Sequence, residues 1–262
     1  MRTGGGPYAA EFEARRDPDR KVDPAMFEGM NIVGVPKVLD VGAGPATFFG
    51  YKLNGQPIEL SACDPLAPQY AKMAEDNGIA WPVATVSGFA EDLSAFYPRG
   101  TFDMVVCRNA LDHSFDPVRG IEEMLLVLKV GGRVNLIHYA NEAEEGSYAG
   151  FHQWNFDVVG GRPIIWNKNS HVDLIGRFGH CADISCNKID ARRLVEFRFD
   201  KKHEPELPEN RAQLRIAELL LAARDAFLLR SNSNKAEKAT VNRKNRKFVI
   251  SAAHPQGLVV EN

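Results

Sequence analysis

The sequence predicts an α/β protein built on a mostly parallel, doubly wound sheet. Two observations carry that prediction. From Lys37 onward, short apolar runs alternate with helical stretches, the pattern of a parallel sheet covered on both faces. The first run, Val38-Leu39-Asp40-Val41, enters a Gly42-Ala43-Gly44 turn, and Asp64 closes the second run twenty residues past Gly44. Composition sets the bounds. The 262 residues, 44% of them hydrophobic, suffice for one such domain with a sizeable core or for two small domains. With 32 Lys+Arg against 34 Asp+Glu, the formal charge of −2 gives no whole-chain reason to expect nucleic acid or an anionic membrane as partner. The same balance excludes wholesale disorder. Four scattered cysteines are too few for a disulfide scaffold and point to a reducing compartment. The first residues carry no apolar signal segment, and no stretch approaches the ~18 apolar residues that span a bilayer. A cytoplasmic protein with no membrane partner is expected.

Element by element, residues 1–36 form an N-terminal helical lid, with weak helical patches broken at Asp17-Pro18 and Asp23-Pro24. Val38–Val41 is a buried strand, and Ile58–Cys63 a second. Residues 68–77 are a short helix stopped by Gly78. Val83–Val86 is a third strand and Phe102–Cys107 a fourth. Asp116 and Pro117 stand where an N-cap and first helical residue belong, and Val118, Ile121, Leu125 and Leu128 share one helical face. Gly131-Gly132 end that helix, and Arg133–Tyr139 is a fifth strand. A helix over 172–178 and two strands, 182–189 and 194–199, paired as a hairpin, complete the domain near residue 202.

Around the glycines the chemistry is local. Glycine has no Cβ, so a strand running into Gly-x-Gly and then a helix lets main chain approach a ligand closely, with exposed amides to bind a polar group. A carboxylate at Asp64 can accept both hydroxyls of a ribose, and in open α/β sheets the ligand crevice lies at these strand ends. A dinucleotide-binding fingerprint would place a third glycine at position 47, which is Thr47, and leaves Asp40 unexplained.

Val-Leu-Asp-Val-Gly-Ala-Gly over 38–44 resembles the cofactor motif of class I S-adenosylmethionine-dependent methyltransferases, in particular the type 11 group. The resemblance runs from about 37 to 200 and is reinforced by Gly88–Leu93, Phe102–Cys107 and Leu126–Gly132. It implies a seven-stranded sheet with an antiparallel last strand, a cofactor-binding domain over 37–202, and S-adenosylmethionine as cofactor. The cofactor contacts it implies are Asp40, Gly42, Ala43, Gly44, Asp64, Pro65, Ala90, Glu91 and Arg108. Two positions depart from the pattern. Ala46 replaces a third glycine, and Phe89 stands where many members carry an acid for the adenine amino group. Either Glu91 or Asp92 takes that role, or Phe89 packs on the ring.

Methyl transfer to a hydroxyl needs close approach and removal of a proton. His113, following the fourth strand, can serve as that base near its ordinary pKa of ~6.5, with Asp112 to orient an imidazole. A second cluster, Tyr148–Phe156, follows the fifth strand and overhangs the acceptor side of the crevice. Its His152 is the second candidate base. Gln153, Trp154 and Asn155 combine ring surface with hydrogen-bonding groups suited to a polar small molecule or glycan acceptor, and the run resembles a bacterial sugar-modifying subset of the family. Motifs of base methylation are absent, so nucleic acid is not the expected acceptor. Cys107 reads as core. His180, Cys181 and Cys186 lack a second ligand pair, and no metal site is expected.

Residues 203–262 form a C-terminal extension with a leucine-rich helix over 211–230 and a basic tail over 231–247. That helix is expected either to cap the sheet or to join two subunits in a homodimer. The reading that results is O-methylation of a small molecule or sugar. An RNA or protein methyltransferase, a non-catalytic cofactor-binding domain and a nucleotide-dependent oxidoreductase remain as alternatives.

Overall fold

A computed structural model describes residues 9–189, 191 and 193–206. The expected helix 211–230 and the basic tail lie outside the described residues. In chain order the elements are α1 (Ala9–Arg16), β1 (Lys37–Val41), β2 (Lys52–Leu53), β3 (Gln56–Pro57), β4 (Glu59–Cys63), α2 (Ala67–Asp76), β5 (Thr85–Val86), α3 (Leu93–Phe96), β6 (Phe102–Arg108) and α4 (Pro117–Val127). They continue with β7 (Leu128–Tyr139), α5 (Glu142–Glu145), β8 (Asn155–Val159), β9 (Arg162–Trp166), β10 (His171–Asp173), α6 (Leu174–Phe178), β11 (Ala182–Ile189) and β12 (Leu194–Lys201).

Seven strands form one sheet in the order β11-β12-β7-β6-β1-β4-β5. Strands β5, β4, β1, β6 and β7 pair in parallel, β12 runs antiparallel to β7, and β11 pairs antiparallel with β12. This is the Rossmann-like, doubly wound sheet with an antiparallel last strand that the sequence predicts. Alternation along the central strands divides the core. Leu39, Val41, Val105 and Cys107 face a large cluster with Ile121, Met124 and Leu125 of α4. Val38, Met104 and Val106 face the other side, where Val22, Phe27 and Phe49 cover them. The α4 cap is as expected: the Asp116 carboxylate accepts the Arg119 amide at 3.0 Å and Pro117 opens the helix. Among the described residues, no helix is long and apolar enough to cross a membrane.

Four local features differ from the sequence expectation. No helix follows the glycine turn; residues 42–51 are irregular. Lys21 bridges to Lys52, and the Val22 amide donates to the Lys52 carbonyl at 2.8 Å, so the N-terminal segment pairs with the chain where this stretch ends. A Cβ at Gly50 would come within 2.5 Å of Lys21 main chain. The third strand is limited to Thr85–Val86. Gly131-Gly132 do not end α4, which stops at Val127; they lie within β7, where its register against β6 shifts. The stretch after β7 is no simple overhanging loop, because β8, β9 and β10 form a separate three-stranded antiparallel sheet.

Candidate cofactor and acceptor site

The glycine turn sits at the carboxyl end of β1. Gly42 and Gly44 have φ of 70° and 65°, a conformation that glycine adopts without strain. Both the Gly42 and Ala43 amides donate to the Cys63 carbonyl, at 2.9 and 3.1 Å, tying the turn to β4. A Cβ at Gly42 would overlap Ala110 Cβ, whereas nothing lies within 4 Å of one at Gly44. Position 42 is therefore packed shut and position 44 opens onto space. Asp64 binds the turn from the neighbouring strand end: one carboxylate oxygen accepts the Gly44 amide at 3.0 Å and the other the Leu66 amide at 2.8 Å. Burial pushes its carboxyl above the usual range, with those two amides opposing the shift.

Asp40 lies beneath the turn and is fully buried. One of its oxygens accepts the Thr47 hydroxyl at 2.5 Å; the other has no hydrogen-bond partner. Burial pushes this carboxyl up to about 7, against the lowering effect of Thr47 and the Phe48 amide. Thr47 in turn accepts the Phe49 amide at 3.0 Å. Asp40 thus shapes the loop from inside and does not face the crevice. Above the turn, the Arg15 guanidinium donates to the Ala46 carbonyl at 2.9 Å, bringing α1 onto the loop.

The other implied cofactor residues divide by burial. Pro65 is exposed beside Asp64, and Ala43 is buried in the turn. Glu91 is buried, and its carboxylate accepts the Phe115 and Asp116 amides at 2.9 and 3.3 Å, an anchoring task for the segment before α4. Ala90 packs against the main core, and an added Cβ on Gly120 would lie 3.3 Å from its Cβ. Arg108, exposed at the end of β6, sets its guanidinium over the Phe48 ring at 5.3 Å.

At the carboxyl ends of β6 and β7 the side chains converge. Asn109 adopts a left-handed φ of 49°, its amide donating to the Ile137 carbonyl, and the chain turns into a 3-10 turn over Leu111–His113. The Asp112 carbonyl then accepts the Gln153 and Trp154 amides at 3.0 and 3.3 Å, which clips His152 beside it. His152 Nδ1 lies 2.7 Å from Asp112 Oδ2, and His113 Nε2 lies 3.2 Å from the same oxygen and 3.1 Å from His152 Nδ1. The Asp112 side chain is 3% exposed; those of His113 and His152 are 39% and 32% exposed. Burial alone would raise the Asp112 carboxyl, but the imidazoles around it, His138 foremost, hold it below the usual range. Burial depresses His113, against the pull of Asp112.

Two residues unassigned by the sequence reading complete this region. His138 is buried, stacked on Phe156 with ring centroids 3.9 Å apart, and its Nδ1 is 3.8 Å from Asp112 Oδ1. Glu142 Oε2 is 3.8 Å from His152 Nδ1. The pairing of β6 with β7, with Arg108 opposite Ile137, is the signal that brings His138 to the segment after β6. Of the three residues expected on the acceptor, Gln153 is exposed, its amide nitrogen 3.2 Å from the Tyr148 and Gly150 carbonyls. Trp154 packs partly against the core. Asn155 differs from expectation. It is fully buried, accepting the Glu144 amide at 2.8 Å and donating to the Tyr148 hydroxyl at 3.0 Å, so its amide is engaged within the fold. Gly42 packs against Ala110, two residues before Asp112, so the glycine turn and the histidine cluster lie at adjoining strand ends.

This architecture defines a class: an α/β domain with a glycine turn and a carboxylate at two neighbouring strand ends and a His–Asp cluster at the next two. Residues 39–136 match the protein-family model described as a methyltransferase domain. Over that stretch the chain is similar to S-adenosylmethionine-dependent methyltransferases. It is similar to the chloroplastic 2-methyl-6-phytyl-1,4-hydroquinone methyltransferase 2 of rice, with 34% identity over 97 residues, covering 37% of this chain and 27% of that protein. It is also similar to the uncharacterized methyltransferase YcgJ of Bacillus subtilis, with 33% identity over 109 residues, 40% of this chain and 42% of that one. The chain thus spans well under two thirds of the length of these relatives. The solved structure of YcgJ aligns with a TM-score of 0.37 and 16% identity, covering 68% of this chain and 97% of that one.

Proposed function

We propose that the chain transfers a methyl group from S-adenosylmethionine to an oxygen of a polar small molecule, with sugars and glycans among the acceptors. The observation that carries this reading is the placing, at adjoining strand ends, of the open Gly44 turn with Asp64 and the Asp112–His113–His152 cluster. The residues present fit the cofactor. Space lies over Gly44, and a carboxylate has enough lone pairs for Asp64 to keep its two amide bonds and still accept a pair of ribose hydroxyls. The bound cofactor supplies a methyl group on a sulfonium. Gly44 and Asp64 bind and orient it, with Ala43, Pro65, Ala90 and Arg108 around them, while Asp40 and Glu91 hold the two loops in shape. The cluster holds the acceptor oxygen and relieves it of its proton, a contribution of roughly 10²–10⁴ in rate. Gln153 and Trp154 face the acceptor. A small-molecule acceptor agrees with the hydroquinone named for the rice relative. A cytoplasmic site of action agrees with four unpaired cysteines.

Calorimetry with S-adenosylhomocysteine and, separately, NAD tests the cofactor. Binding of the first in the micromolar range and none of the second is expected; the reverse result would replace methyl transfer with hydride transfer. A screen of hydroxylated acceptors with labelled S-adenosylmethionine then addresses the acceptor.

A further inference from the structure

The geometry points to a divalent transition-metal site formed by Asp112 Oδ2, His113 Nε2 and His152 Nδ1. The three atoms form a closed triangle with edges of 2.7, 3.1 and 3.2 Å. With Asp112 ionised, protons cannot satisfy all three edges together. If both ring nitrogens carry hydrogen, the 3.1 Å edge sets two N–H groups against each other. If only one does, the other nitrogen turns a lone pair toward the Asp112 carboxylate. If neither does, every edge is lone pair against lone pair. A cation above the triangle's centre satisfies the three at once. Ligands held at ~2.1 Å at right angles about a metal lie about 3.0 Å apart, close to the edges seen here. Two imidazoles and one carboxylate on a single face are the donor set of an open site for iron, manganese, cobalt or zinc, whereas calcium and magnesium favour oxygen.

A separate observation supports the assignment. Glu142 Oε2 is buried, has no hydrogen-bond partner and stands 3.8 Å from His152 Nδ1, within reach of a water on such a cation. The surroundings suit it as well. The Asp112 carbonyl is pinned by two amides, so the carboxylate is held from behind. Both histidines are about one-third exposed, which leaves the outer side of the triangle open for an oxygen ligand. Resting on the methyl-transfer reading above, that ligand is the acceptor hydroxyl. Ligation would lower its pKa, as a metal lowers that of water from 15.7 to about 7, so the cluster would shed the proton to solvent through the cation instead of taking it up on an imidazole. This departs from the expectation of no metal, which rested on the cysteine-containing segments alone.

The test uses the full chain, stripped with a chelator and titrated with Co²⁺. We expect one ion per chain with a visible absorption band. Asp112→Asn and His152→Ala should each weaken binding at least about 100-fold. S-adenosylhomocysteine affinity is measured on the same samples, so that retained affinity shows each variant folded. Equal Co²⁺ binding by the parent and both variants, or none by a parent that binds S-adenosylhomocysteine, overturns the site. Co²⁺ binding that depends on these residues in a chain blind to S-adenosylhomocysteine supports the site and defeats the methyl-transfer reading instead.

Discussion

At the glycine turn, main-chain amides and one carboxylate from a position twenty residues away do the polar work, and both Asp64 oxygens are engaged. At the ends of β6 and β7, side chains from segments forty residues apart converge on Asp112. There Asp112 Oδ1, both His138 ring nitrogens and Glu142 Oε2 are buried without hydrogen-bond partners. A buried polar atom without a partner costs about 1–3 kcal/mol. In the first region both oxygens of the crevice-side carboxylate are bonded before anything binds, whereas the second leaves four buried polar atoms unsatisfied. The glycine-turn region has one such atom of its own, Asp40 Oδ1; with its carboxyl raised to about 7, Asp40 is neutral through most of the acid range and adds no buried charge there.

The largest effect should come from the second region. His152→Ala is expected to reduce turnover by about 10²–10⁴-fold in an acceptor assay while leaving S-adenosylhomocysteine affinity unchanged. Turnover within a few-fold of the parent would place acceptor activation elsewhere. In the first region, Asp64→Ala removes a charged acceptor worth about 1.5–3 kcal/mol, and calorimetry should show cofactor binding weakened at least tenfold. Unchanged affinity would remove Asp64 from the cradle and collapse the contrast between the two regions.

The smallest effect concerns Asp40 and separates its support of the loop from ligand contact. Its folded pKa is raised from 3.8 to about 7, so folding takes up a proton wherever the unfolded chain is ionised and the folded one is not. The stability it contributes is full below pH ~4 and declines as pH rises to 7. Asp40→Asn keeps an acceptor for Thr47 and removes the titration. Its melting temperature should therefore fall less between pH 4 and 7 than that of the parent. Parallel pH profiles for the two proteins would show that Asp40 titrates normally.

The sheet was legible because its signals are local: apolar runs of strand length, and an Asp-Pro cap that holds in detail at Asp116. The helix expected after the glycines failed because tertiary pairing outweighed the local pattern. Pro45, Thr47 and two adjacent phenylalanines are weak helix formers, and the chain instead bonds to residues 20–22. The small antiparallel sheet did carry a signal that the reading passed over. Gly160 and Gly161, both at positive φ between Val159 and Arg162, form the two-residue turn of a hairpin. Asn54-Gly55 does the same between β2 and β3. In the candidate site, both histidines and Asp112 were recognisable by residue type. Their convergence was not, because it depends on the length of the loop from β7 to β8 and on main-chain bonds with no sequence signature. The burial of Asn155 was hidden for the same reason: its partners, Glu144 and Tyr148, belong to that loop's fold.

The two amides that grip the Asp112 carbonyl have an architectural consequence. They belong to Gln153 and Trp154, immediately after His152, so that histidine is registered to the β6 end by main chain alone. The side chains of the preceding residues, from Gly146 through Phe151, take no part in those two bonds. The Tyr148 hydroxyl is taken by Asn155 and the Phe151 ring lies near His113, so it is changes at Ser147 and Ala149 that should leave the histidine at its station.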